Sequence, residues 1–282
     1  MRLLIESGAD KEAENIAAKS ALILAAEHGH IACARLMLDS GADKEAYDDQ
    51  GVTALAHAAR KGHIACVRLL LDAGASTLND DSSTSALIEA ASEGRTDCVR
   101  LLLQHGADKD ATYRYGDCAL ISASQGGFSD CVRLLLESGA DMNARDYFGA
   151  TALARAADNG HTVCVRLLLE GGAYKEVLDN KSSTALILAA RRGRNDCVRL
   201  LLEAGAGTET RRNGCPTALI GAACEGHSEC VRLLLQRGAD ISVVDASGNT
   251  ALTLAEARGH VECVRLLAEA ATGIGAPNHE RL

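Results

Sequence analysis

A spacing of 33 residues constrains this chain more than any other feature. Glycines followed by alanine recur at Gly8, Gly41, Gly74, Gly106, Gly139, Gly172, Gly205 and Gly238, with one step of 32 between Gly74 and Gly106. A second ladder runs through Gly29, Gly62, Gly94, Gly127, Gly160, Gly193, Gly226 and Gly259. A third reads Ser20, Thr53, Ser85, Cys118, Thr151, Thr184, Thr217 and Thr250, each followed by Ala-Leu. A period of this length, kept over the whole chain, marks supersecondary units that stack on one another.

One unit shows how each is built. Thr151 is a helix-capping residue type, its oxygen available to an orphan amide. "ALARAADN" predicts a short helix that ends at Gly160, which supplies the left-handed residue after it. "HTVCVRLLLEG" predicts a second helix with an apolar stripe of Cys164, Val165, Leu167, Leu168 and Leu169. Gly172 ends that helix, and about a dozen polar residues lead to the next cap. Neither helix can bury its apolar face alone, so the units must pack side by side.

These units resemble ankyrin repeats. The family pattern is a "G-x-T-P-L-H-x-A-A" helix start, a "G-H" turn and an "L-L-L-x-x-G-A-D" close, and the match covers essentially the whole chain. The resemblance implies an all-α solenoid of helix-turn-helix units. Their β-hairpin fingers would project sideways, with fingers and first helices lining a concave face. The expected organisation is an N-terminal half repeat (1–9), eight stacked repeats in one continuous solenoid (10–271) and a C-terminal tail (272–282). The finger that lacks one residue, before Ser85, should be short or distorted. Three departures stand out. The family Pro is Ala at every unit, from Ala21 to Ala251. The family His is replaced by Ile23, Ala56, Ile88, Ile121, Ala154, Ile187, Ile220 and Thr253. Cys118 replaces a capping hydroxyl, so the fourth unit should start less firmly, by about 1 kcal/mol.

Composition narrows the function. The chain has 282 residues and a net charge of −9, which argues against a general nucleic-acid binder, since such a protein needs a basic face. The excess acid lies in residues 1–141, with 22 acidic against 13 basic side chains; residues 142–282 carry 16 of each. No apolar run approaches the roughly 20 residues needed to span a bilayer, and "MRLLIESGAD" is no secretory leader. A soluble intracellular protein, cytoplasmic and without membrane contact, is expected.

Eight of the 11 cysteines occupy one position, from Cys33 and Cys66 to Cys230 and Cys263. That site faces the stack, where Cys acts as a small apolar residue. Cys224, His227 and Cys230 have a zinc-like spacing, but the repeat itself accounts for His227 and Cys230, so no metal and no cofactor is expected. No nucleophile motif, phosphate loop or dinucleotide fingerprint is present, and an enzyme is not expected. An arginine ladder from Arg35 to Arg265, with an acid four residues on in most units, reads as a solvated outer face.

If the shared positions build the scaffold, function lies where units differ. The resemblance places partner contacts at the finger tips and the ends of the first helices. There Arg114, Tyr115, Arg145, Tyr147 and Phe148 stand in adjacent fingers. Arg191 and Arg192 end a first helix, with Lys181 and Arg211 in flanking fingers. Tyr, Phe and Arg are the residues enriched in interface hot spots. The expected partner is another protein, acidic and with apolar anchors, bound to a monomer without catalysis. The alternatives are stacks that assemble end to end, or a fragment of a larger scaffold. Asn143, in "LLESGADMNA", is similar to the site at which asparaginyl hydroxylases modify ankyrin repeats; an ordinary turn asparagine is the competing reading.

Overall fold

The computed structural model describes residues 10–77, 85–113, 116–211 and 214–272. The half repeat expected at 1–9, the short third finger and the tail beyond Thr272 lie outside these residues. The chain divides into two compact units at Asp141/Met142.

The first unit holds four helix pairs: α1 Ala21–Glu27 and α2 Ile31–Asp39, α3 Ala54–Lys61 and α4 Ile64–Asp72, α5 Ala86–Ser92 and α6 Thr96–Gln104, α7 Ala119–Gly126 and α8 Ser129–Glu137. The second unit holds four more: α9 Ala152–Asn159 and α10 Thr162–Glu170, α11 Ala185–Arg191 and α12 Asn195–Glu203, α13 Ala218–Cys224 and α14 Ser228–Gln236, α15 Ala251–Ala257 and α16 Val261–Thr272. Within each unit first helices pack on first helices and second on second. Among the described residues no helix is long and apolar enough to cross a membrane.

The helices begin where the capping ladder places them. The side chains of Ser20, Thr53, Thr151, Thr184, Thr217 and Thr250 each accept an amide hydrogen bond from the residue three places on. Neither Cys118 nor Ser85 makes a side-chain capping bond, although Ser85 carries the hydroxyl. The second-helix cysteines from Cys66 to Cys263 are buried against the stack, and Cys33 is half-buried. Burial pushes the thiol of Cys98 up to about 11 and that of Cys230 to about 12.

The histidine of the "G-H" turn has a role that pattern reading left open. His63 Nε2 donates to the Glu27 carbonyl at 3.1 Å, His227 to the Arg191 carbonyl at 3.1 Å and His260 to the Cys224 carbonyl at 3.0 Å. Each closes the exposed end of the preceding unit's first helix. Arg95 and Arg194 do the same through Nε. The close approach also explains Gly29, whose Cβ, if it had one, would lie 2.7 Å from His63 Nδ1.

The fingers close as tight hairpins with few residues in regular strands: the amides of Asn15, Asp48, Asp146, Asp179 and Asp245 each donate to the carbonyl four residues on. Among the described residues, strands form only in the fourth finger, where β1 Thr112–Tyr113 pairs antiparallel with β2 Asp117–Cys118; an isolated bridge joins Tyr47 and Thr53. Elsewhere an Asx residue five places before the cap takes the amides into its own side chain. Asn15, Asp48, Asp146, Asp179 and Asp245 each accept two, from residues two and four places on. The fourth finger carries Tyr113 at that position, cannot make this loop, and pairs as strands instead.

Candidate functional site

The second unit presents the aromatic residues of interest on the finger before α9. Asp146 closes that finger: its Oδ1 accepts from the Phe148 and Ala150 amides at 2.9 Å each. Its Oδ2 accepts from Arg155 of α9, through Nε at 2.7 Å and also through Nη2. The buried carboxylate therefore ties the finger to its own first helix.

The next finger then clamps the tip from outside. Asn180 donates its backbone amide to the Phe148 carbonyl and its side-chain amide to the Tyr147 carbonyl, both at 2.9 Å. Arg145 donates Nε to the Gly149 carbonyl at 3.1 Å and Nη2 to the Leu178 carbonyl at 2.6 Å. Gly149 has a φ of +74°, and a Cβ there would sit 2.6 Å from Asn180 Oδ1, so no larger residue fits this clamp.

On this fixed backbone the two rings face outward. Tyr147 is 67% and Phe148 55% exposed. They meet edge to face with centroids 5.6 Å apart, and the Arg155 guanidinium lies 5.4 Å from the Phe148 ring centre. Exposed aromatic area on a backbone held from two sides is cheap to bury, because little order remains to be lost.

The expected basic residues divide into two groups. Arg145 and Arg211 spend their guanidinium groups on fingers: Arg211 Nη1 donates to the carbonyls of Cys215 and, at 3.3 Å, Val244. Lys181 is exposed, Arg191 half-buried and Arg192 exposed. Arg192 Nε contacts Asp158 Oδ1 at 3.1 Å. Arg114 and Tyr115 lie outside the described residues.

Asn143 sits at a staple between successive fingers. Its Oδ1 accepts from the Tyr174 amide at 2.9 Å. Glu12, Glu45, Asp110, Glu176 and Glu209 hold the equivalent amides 31 residues on. Asn143 is thus the amide member of a series of carboxylates.

Sequence reading missed Asp146, Arg155 and Asn180. A signal for the first was present, since Asx recurs five residues before the cap. Two of the zinc-like trio are spent separately, His227 on the Arg191 carbonyl and Cys230 Sγ on Asn195 Oδ1 at 3.1 Å. Among the described residues no group of three or more His, Cys, Asp or Glu side chains is placed to hold a metal ion.

Comparison with known proteins agrees with this architecture. The family described as ankyrin repeats (3 copies) matches residues 1–81, 74–146, 144–212 and 207–278. The crystal structure of the human ASB11 ankyrin repeat domain is 30% identical, with a TM-score of 0.69, covering 79% of this chain and 98% of that one. The comparison with curated proteins returns no match.

Proposed function

Since the chain belongs to the ankyrin-repeat family, whose stacks are generally protein–protein interaction modules, we propose that it holds a partner protein on its finger and first-helix face and performs no chemistry. The observation that carries this reading is the exposed Tyr147–Phe148 pair on a finger clamped by Asn180 and Arg145. The partner is acidic with apolar side chains: the rings receive the apolar groups, while Lys181, Arg191 and Arg192 face the acids. The chain acts as a monomer.

Crosslinking in native lysate, followed by titration calorimetry with the recovered partner, tests the surface. Replacing Tyr147 and Phe148 together with Ala should weaken binding by about 2–4 kcal/mol, a hot-spot magnitude. The melting temperature should barely move, because both rings lie outside the helix stack. Unchanged affinity would place the contact surface elsewhere.

A further inference from the structure

His57, on α3, is completely buried. It stands four residues after its cap, where α9 has Arg155 and α11 has Leu188. Its Nε2 lies 2.8 Å from Asp48 Oδ2. An ionised carboxylate only accepts, so Nε2 carries the proton and donates. The other ring nitrogen, Nδ1, is buried without a hydrogen-bond partner. Its charged neighbour is Glu27 Oε1 on α1, 3.8 Å away, too far for a hydrogen bond.

The groups around the ring are already committed. Glu27 Oε2 is held by Lys19 Nζ from the first finger at 2.7 Å. Asp48 Oδ1 accepts from the Gln50 and Val52 amides at 3.0 and 2.9 Å. From α5, half-buried Glu89 faces the charge of Asp48 and contacts Arg60 of α3 at 3.6 Å. A second proton on the ring must go to Nδ1. There its charged neighbour is the Glu27 carboxylate, 3.8 Å away and beyond hydrogen-bond reach.

We propose that His57 is a proton-released latch. The neutral ring holds the second finger, which carries Tyr47, against its first helix, and protonation in mildly acidic solution frees that finger. Repeat five has the permanent counterpart: Arg155 grips Asp146 with the same geometry and does not titrate.

The direction follows from where the proton binds. Burial, with help from Lys19, holds His57 below its ordinary range; Asp48 and Glu27 oppose this without reversing it. The released finger exposes an ordinary histidine that takes a proton below about 6.5. The latch is therefore at full strength above that pH and weakens as pH falls towards the buried value. Glu89 works in the opposite sense: burial raises its pKa, so acid favours its folded position. Glu27 is lowered chiefly by the Lys19 hydrogen bond. Burial raises Asp48, but His57 and the two amides outweigh it and leave it low. Both carboxylates act only at lower pH.

Hydrogen exchange followed by NMR tests the latch. The measured quantity is protection of the Val52 amide, held by Asp48, relative to that of the Ala150 amide, held by Asp146. The ratio cancels the intrinsic pH dependence of exchange. Between pH 7.5 and 5.5 it should fall in the wild-type protein, by at most about tenfold, the limit set by an ordinary histidine titrating against a ring that stays neutral while buried. In His57→Arg and His57→Leu it should stay level. The leucine variant has a precedent in repeat six, where Asp179 closes its finger with Leu188 at this position, so one foldable control is in hand. A wild-type ratio that holds or rises, or the same fall in the leucine variant, would overturn the proposal.

Discussion

The Asp146–Arg155 pair offers the sharpest test of how a finger is held to its helix. Asp146→Ala removes the acceptor of two amides and of the Arg155 guanidinium. Arg155→Leu removes only the last, and Leu is the residue that α11 and α15 carry at this position. A hydrogen bond to a charged group is worth about 1.5–3 kcal/mol net. Here the carboxylate side chain is 1% and the arginine 23% exposed, so the lower end of that range applies after screening. The double-mutant cycle should therefore show a coupling of about 1.5 kcal/mol. A stacked array need not unfold in one step, so the quantity to follow is exchange protection of the Phe148 and Ala150 amides. It should fall roughly tenfold in Arg155→Leu, further in Asp146→Ala, and no further in the double variant than in Asp146→Ala alone. A coupling below about 0.5 kcal/mol would show that the finger closes on Asp146 and its amides alone, with Arg155 contributing little.

Three further outcomes follow from the repeats that depart from the pattern. Cys118→Thr should restore the missing cap and raise stability by about 1 kcal/mol in urea titration. Asn143→Asp should leave the melting temperature unchanged, because carboxylates hold the same staple in other fingers, whereas Asn143→Ala should cost about 1 kcal/mol; loss in the aspartate variant would mean that the amide nitrogen matters as well. At pH 8, alkylation read by mass spectrometry should reach half-buried Cys33, Cys215 and Cys224 well before the buried ladder, since burial raises the thiols of Cys98 and Cys230 and leaves little thiolate to react.

What could be read from the sequence was whatever repeats. The helices, their Ser and Thr caps, the left-handed glycines and the buried cysteines each recur at a fixed offset, and the period alone assigns them. The finger interiors were not legible in the same way. The Asx position five before the cap recurs just as plainly, but only the hydrogen bonds show that the Asp146 and Asp179 side chains take amides inside their hairpins. Side chains that act across repeats were out of reach for a different reason. Nothing in the residues around Arg145 says that its guanidinium reaches the Leu178 carbonyl, 33 positions on. His57 is similar: its neighbours Glu27 and Lys19 belong to the previous repeat, and its burial is a property of the packed stack. The aromatic pair was visible as composition, while the clamp on its backbone was not.

On the proposed surface the same clamps would decide how charge and apolar contact share the work of binding an acidic partner. Composition shows many cations around Tyr147 and Phe148, yet most are engaged within the protein. Arg145 and Arg211 serve carbonyls, Arg155 serves Asp146, and Arg192 meets Asp158 at the surface. Lys181 and Arg191 are the members of the set without such a role in the contacts described above. An acidic partner therefore meets less free charge than a residue count suggests, and a surface pair such as Arg192–Asp158 costs at most about 1 kcal/mol to break. Electrostatics should guide the approach while the rings set the lifetime of the complex. In stopped-flow measurements, reversing Arg191 and Arg192 to Glu should slow association severalfold at low salt and much less at high salt. The Tyr147→Ala, Phe148→Ala double variant should act mainly by speeding dissociation. If charge reversal instead abolished binding even in high salt, the two arginines would have to be buried anchors, and the division of labour argued from these contacts would fail.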